Sequence, residues 1–186
     1  MGARAMVAVA RPDGRYDCYH SQWGGKHLDR LVARARNGEV PPDFVDSEPV
    51  RTAVPVDRVF ARIDSRGYEA LVAVAVDGAV EAYLVCRPGI ETGRRTGPDA
   101  ATAGPPTDAA ASFVRGAAVL VPWTDAATAA RIRRFSRTAK EVLGDAVDAG
   151  LLSPQLATAY LLVRLTRHPD VRDELVWFPP GGETAA

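Results

Sequence analysis

The sequence predicts an α+β domain, in which an antiparallel sheet of about five strands packs on several helices and the C-terminal part is helical. Two strand–turn–strand patterns, each centred on an Asp-Gly pair, predict two hairpins, and a later apolar run predicts one more strand. The C-terminal third contains two long helical patterns separated by Gly150. We expect residues 1–178 to form a single domain and residues 179–186 to be a disordered tail.

The first hairpin and a short helix occupy the N-terminal part. The apolar run "RAMVAVA" (4–10) leads through a Pro-Asp-Gly turn into "RYDCYH" (15–20). The glycine pair at 24–25 breaks this second run, and the pair Asn37-Gly38 is a typical helix end. The apolar residues between these two points follow helical spacing: Leu28, Leu31, Val32 and Ala35.

The middle of the chain predicts a connector, a short helix and the second hairpin. Residues 39–55 contain several prolines, so we expect an extended connector there. The stretch "YEALVAVAVDGAVEAYLVCRPG" (68–89) repeats the "VAVA" of the first hairpin, and Tyr19 and Tyr83 follow the two Asp-Gly pairs at the same distance. The likeness is either a loose repeat or a coincidence of common Val-Ala alternation. The short helix has four apolar residues on one face: Val56, Val59, Phe60 and Ile63.

A long loop separates the second hairpin from the last predicted strand. Residues 87–112 are rich in Gly and Pro and have no apolar period. They predict a flexible loop that is either disordered or functional. The run "GAAVLVPW" (116–123) predicts the strand that follows.

Two helices are predicted after this strand. Thr124-Asp125 is a typical N-cap for the first helix, and Ser153-Pro154 opens the second. The second helix, "QLATAYLLVRLTR", is apolar nearly all round, so we expect it to be buried. The predicted buried stripe of the first helix comprises Ile132, Phe135, Ala139, Val142, Leu143 and Ala146.

Composition disfavours several classes of function. Basic and acidic residues balance at 23 each, so no overall field attracts nucleic acid or an anionic membrane. No uncharged apolar run reaches the about 18 residues of a membrane span, and the N-terminus lacks a signal-peptide cleavage site, so we expect a cytoplasmic protein. In that compartment Cys18 and Cys86 are expected to be buried and reduced, although the sequence leaves open whether they pair.

Candidate functional residues concentrate in the stretch of residues 16–27. On a strand, Cys18 and His20 share one face, and His27 follows in the first turn of the helix, so three possible metal ligands are expected near one strand end. No paired-ligand motif accompanies them, and we predict no metal and no cofactor. Cys18 and His20 are also candidate catalytic residues of a thiol enzyme, but no third orienting group can be named. We therefore favour a protein that is not an enzyme.

The start of this helix favours ligand binding. Backbone N–H groups at Gly24, Gly25 and Lys26, with the lysine cation, suit a phosphate or carboxylate. The alternative is that the glycines only turn the chain and Trp23 fills the core. Our leading hypothesis is a small binding protein for an anionic ligand or a protein partner at the corner of residues 18–27, with the oligomeric state open. Its candidate residues are His20, Trp23, Gly24, Gly25, Lys26 and His27.

A second basic feature lies within residues 131–140. Arg133, Arg137 and Lys140 follow helical spacing, and such a face suits nucleic-acid phosphates. Acidic residues follow at once and would repel phosphates. A solvated helix surface is therefore favoured over nucleic-acid binding, which is the third hypothesis after the binding protein and the thiol or metal enzyme.

The N-terminal motifs carry a family resemblance. "MGARAMVAVARPDGRY" followed by "HSQWGG" resembles the opening of small uncharacterised proteins found mainly in halophilic archaea, which share a Met-Gly-x-Arg-Ala start, an Asp-Gly turn and a His-Ser-x-Trp-Gly block. A weaker likeness extends to "VPVDRVFARID" and "DAGLLSPQLATAYL". The resemblance implies a domain of unknown function and no particular activity.

Overall fold

The computed structural model describes residues 3–38, 45–61, 63, 67–90, 118–171 and 176–178. The strands in this part of the chain are β1 (Ala5–Ala10), β2 (Tyr16–Ser21), β3 (Arg51–Val54), β4 (Ala70–Val74), β5 (Val80–Cys86), β6 (Ala118–Pro122) and β7 (Val176–Phe178). The helices are α1 (Leu28–Arg36), α2 (Val56–Ala61), α3 (Ala126–Asp148) and α4 (Pro154–Thr166). Among the described helices, none is long and apolar enough to cross a membrane.

All described strands belong to one sheet with the order β3-β2-β1-β4-β5-β6-β7. Neighbouring strands are antiparallel except at the centre, where β1 and β4 run parallel with Val7 opposite Val72. The predicted α+β class with a helical C-terminal part is confirmed, but the sheet is mixed rather than purely antiparallel. The long connection from β2 to β4 makes this parallel pairing possible, since parallel neighbours need a crossover.

The two predicted hairpins have the same turn. The carboxylates of Asp13 and Asp77 each accept a hydrogen bond from the backbone N–H two residues further on, at 3.1 and 3.0 Å. Gly14 and Gly78 follow them with positive φ angles of 76° and 84°, which glycine adopts without strain. The likeness noticed in the sequence therefore corresponds to two hairpins of the same local structure, whose first strands lie side by side.

The sheet buries both of its faces. On the helical face, α1, α3 and α4 pack on alternate residues of the central strands, among them Val7, Val72, Leu84 and Val121. On the second face, α2 contributes Val59 and Phe60 to a smaller cluster around Met6, Cys18, Leu71 and Leu120. Strand alternation assigns each residue to one face, so two hydrophobic layers share one sheet.

The sheet has more described strands than the sequence predicts. β3 lies within the predicted connector of residues 39–55, and β7 lies in the C-terminal stretch for which no strand was predicted. Both are short strands at the two ends of the sheet order. Each of them pairs with a strand that is distant in the sequence, so the local residue pattern does not indicate it. The prolines at 49 and 55 flank β3 without interrupting it.

Local stop and cap signals are confirmed. Gly38 and Gly150 follow α1 and α3 with positive φ angles of 76° and 73°. Asp125 accepts the backbone N–H of Thr128 at the start of α3, and Ser153 does the same for Leu156 in α4.

Several predictions of burial are wrong. Val56 and Val142, placed on buried stripes by their spacing, are exposed, and α4 is buried along one side only. Apolar spacing identifies the faces of a helix but not how many of them a neighbour covers. Residues 87–90, the start of the predicted loop, lie outside the helices and strands, but Pro88, Gly89 and Ile90 are buried and Ile90 belongs to the main core. The rest of the predicted loop, 91–112, and the tail, 179–186, lie outside the described residues.

Candidate functional site

Cys18 and His20 point to the second face of the sheet, as strand alternation predicts. Cys18 belongs to the buried cluster of that face. The His20 ring makes an edge-to-face contact with Tyr68, with 5.9 Å between ring centroids. Its Nδ1 atom lies 3.3 Å from a carboxylate oxygen of Asp46, whose backbone N–H donates to the His20 carbonyl. His20 is thus held by neighbours on the second face.

The environment of Cys18 disfavours a reactive thiol. Burial raises the pKa of this thiol, an effect that the nearby Arg51 cation only partly offsets. A thiol with a raised pKa supplies little thiolate, the nucleophilic form, near neutral pH. The geometry therefore lends no support to the hypothesis of a thiol enzyme based on Cys18 and His20.

The two cysteines lie on opposite faces of the sheet. Cys18 belongs to the cluster of the second face and Cys86 to that of the helical face, and both are free. Burial raises the pKa of Cys86 to about 11, while the charges of Lys140 and Arg133 act in the opposite direction. The question that the sequence left open is answered: the two thiols do not pair.

The predicted convergence of Cys18, His20 and His27 is wrong. His27 is the N-cap of α1, which packs on the helical face, whereas the two other side chains lie on the second face. Between His20 and His27, the Gly pair carries the chain from the second face of the sheet to the helical face. In the ranges that the structure describes, no group of three His, Cys, Asp or Glu side chains is placed to hold a metal ion.

The glycine pair allows a close approach between the corner and the start of β1. A Cβ atom at Gly24 would lie 2.6 Å from Ser21 Oγ and 2.8 Å from Ala5 Cβ, which is closer than Cβ atoms approach other non-bonded atoms. A Cβ atom at Gly25 would lie 3.1 Å from the carbonyl oxygen of Ala3. Packing therefore requires glycine at position 24, and a side chain at position 25 would require the backbone of residues 3–4 to shift.

The predicted cradle of exposed N–H groups is wrong. Gly25 donates its backbone N–H to Ala3 O at 2.9 Å, and the N–H groups of Lys26 and His27 both donate to Trp23 O, at 3.0 and 3.1 Å. The N–H groups of Gly25 and Lys26 are therefore used within the chain, and an anion at this corner would depend on side chains rather than on these two donors. The alternative interpretation of this stretch expected Trp23 to fill the core. That expectation is wrong, since Trp23 is 57% exposed.

Arg133 joins the corner from α3. Its Nη2 atom donates to the carbonyl oxygen of Gly25 at 3.2 Å. The guanidinium is half-buried, and within the described residues none of its nitrogen atoms is buried without a partner. Lys26 is exposed, with no ion pair in the part of the chain that the structure describes. The structure thus combines two features that the sequence treated as separate sites.

The predicted basic face of residues 131–140 is divided. Arg133 contacts the corner, Lys140 is half-buried and acts on the Cys86 thiol, and Arg137 is exposed. The three cations therefore have different environments rather than forming one open surface for a phosphate backbone.

Comparison with known proteins places the chain in a family. The family of unknown function DUF6735 matches residues 29–177. The chain belongs to this family. The match begins inside α1, so the first hairpin and the corner of residues 18–27 precede the matched residues. No curated protein matches the chain, and no solved structure does.

Proposed function

We propose that the protein binds a small anionic ligand through side chains at the corner of residues 18–27, with Lys26 and Arg133 as the main recognition groups. The observation that carries this proposal is the 3.2 Å hydrogen bond from Arg133 to the carbonyl oxygen of Gly25. This bond holds the Arg133 guanidinium beside Gly25, which directly precedes Lys26. Arg133 and Gly25 are 108 residues apart in the chain.

The charges of the two side chains favour an anion. An arginine held by one hydrogen bond is partly ordered before a ligand arrives, and its remaining N–H groups can pair with phosphate or carboxylate oxygens. Lys26 adds a second cation with a flexible side chain. His27, which gives α1 no side-chain cap, is a further donor or acceptor at the same turn. His20 lies on the other face and is not part of this site.

Trp23 favours a ligand that carries a planar group with its anion. The indole is exposed just before the glycine pair, and an exposed aromatic ring can stack on a planar ligand. Nucleotides and aromatic carboxylates have this combination of plane and charge. Inorganic phosphate and sulfate test the anion alone.

The test is a ligand-dependent thermal shift followed by calorimetric titration. Wild type is screened with phosphate, sulfate, mononucleotides and benzoate, because a ligand at about 100 times its Kd stabilises the folded state by about 2.7 kcal/mol. We expect K26A and R133Q to lose most of the shift. R133Q removes the charge but keeps a polar side chain, and its melting temperature without ligand shows whether loss of the shift reflects binding or folding.

R137A is the control, because it removes one arginine charge at an exposed position one turn further along the same helix. It should retain the wild-type shift. If R137A and R133Q lose the thermal shift equally, the effect reflects the overall charge of the protein and not this site. The absence of a thermal shift with every anion at millimolar concentration would refute the proposal.

The archaeal, halophilic origin and the cytoplasmic location stay predictions from the sequence.

A further inference from the structure

An apolar stripe runs along the outer side of α4. Leu156, Tyr160 and Val163 are 57%, 53% and 47% exposed, and Ala159 is exposed between them. Their spacing places them next to one another on one helix face. We call these four residues the α4 stripe. The opposite side of the helix is fully buried against the core, so α4 presents apolar surface in two directions.

Charges lie at both ends of the α4 stripe. Arg164 and Arg167 are exposed at the C-terminal end of α4 and have no ion pair in the described part of the chain. The tight turn at Gly150 brings the C-terminal part of α3 beside the other end of α4, and there Glu141 and Asp145 are exposed. The helical hairpin is therefore basic at one end and acidic at the other.

We propose that a second copy of this chain covers the α4 stripe, with the two α4 helices packed antiparallel about a two-fold axis between Ala159 and Tyr160. This arrangement places Leu156 opposite Val163 of the second copy and Ala159 opposite Tyr160 of the second copy, so a large side chain faces a smaller one at each level. A two-fold axis makes every such contact occur twice.

Charge complementarity selects the antiparallel arrangement. It brings the basic end of each α4 to the acidic end of the other hairpin, so that Arg164 and Arg167 approach Glu141 and Asp145 of the second copy. A parallel arrangement would place arginine beside arginine and carboxylate beside carboxylate, and like charges repel. Leu151, exposed in the turn before α4, extends the apolar surface at the acidic end.

The first test is the molar mass by sedimentation equilibrium from micromolar to millimolar concentration. Wild type should associate to twice the chain mass, and V163E should lower the association constant by about tenfold or more, because a charged side chain replaces the apolar contact with Leu156 of the second copy. The control is V76E, the same substitution at an exposed valine in the turn between β4 and β5, which should associate as wild type does. All three proteins should have the same far-UV spectrum.

The second test separates the charges from the apolar contact. R164E/R167E and E141R/D145R should each weaken association, and the combined four-residue variant should recover it. A wild type that stays monomeric at millimolar concentration would overturn the proposal, as would a dimer that V163E leaves intact. Failure of the combined variant to recover association would refute the antiparallel arrangement.

Discussion

The guanidinium of Arg131 binds both carboxylate oxygens of Asp170, with Nε to Oδ2 at 2.7 Å and Nη2 to Oδ1 at 2.9 Å. This pair ties the first turns of α3 to the turn that follows α4. The same Nη2 donates to Thr128 Oγ1, whose hydroxyl donates to the N-cap residue Asp125. One polar network thus connects the N-terminal turns of α3 with the turn that follows α4.

The first prediction is that stability falls in acid through this network. Hydrogen bonds from Arg131 lower the pKa of Asp170, and the backbone N–H of Thr128 lowers the pKa of Asp125 from 3.8. A carboxylate with a lowered folded-state pKa stabilises the protein above its unfolded pKa, and this contribution disappears as the pH falls through the folded pKa. D170N should therefore be less stable than wild type at pH 7, and the difference should shrink at pH 3. Urea unfolding at both pH values measures it, with the exposed D29N as the control.

The second prediction concerns the close approach at Gly24. G24A should lower the free energy of unfolding by about 1–3 kcal/mol, since the added methyl group overpacks Ser21 and Ala5. K26A, at the neighbouring exposed position, should change stability by less than about 0.5 kcal/mol. Chemical denaturation compares the two variants. A G24A protein as stable as wild type would show that the corner can shift to accommodate a methyl group without a loss in the free energy of unfolding.

The third prediction concerns the bulge between β2 and β3. Ala53 has a φ of 52°, and its N–H donates to the Asp17 carboxylate at 3.0 Å. A residue with a Cβ atom is strained in this left-handed conformation, so A53G should raise the free energy of unfolding by about 0.5–1 kcal/mol. The control A82G, in β5 with negative φ, should lower it by about 0.5–1 kcal/mol. If both substitutions destabilise equally, the strain at Ala53 is negligible.

The fourth prediction is that both thiols are protected in the folded state. Cys18 is 1% and Cys86 7% exposed, and burial raises the pKa of each. Reaction with a chromogenic disulfide reagent should therefore be limited by unfolding, and a moderate rise in pH should not accelerate it much. In denaturant both thiols should react at once. Rapid modification of native protein would contradict the burial, and C18S and C86S would identify the accessible thiol.

Features set by neighbouring residues in the chain were predicted correctly. The Asp-Gly turns, the N-caps at Asp125 and Ser153 and the helix ends at Gly38 and Gly150 each depend on a few consecutive residues. The shared face of Cys18 and His20 follows from strand alternation in the same way.

Features set by distant contacts were missed. The parallel pairing of β1 with β4, the edge strands and the exposure of one side of α4 depend on which elements become neighbours. The contact between Arg133 and Gly25 is of this kind as well, and no local pattern in either segment indicates it. Neither did the sequence show that the glycine corner separates His20 from His27, because the crossing from one face to the other requires the chain path.

The two hairpins with matching turns have an internal symmetry. Because β1 and β4 are parallel neighbours, each hairpin extends away from the other, and a half-turn about a line between these strands relates the strand order and directions of one hairpin to those of the other. The matching tyrosines have opposite surroundings, although the matching Val7 and Val72 both pack on the helical face. Tyr19 packs with the helical face, whereas Tyr83 meets Phe60 on the second face with 6.1 Å between ring centroids. The two hairpins thus supply one tyrosine side chain to each hydrophobic layer.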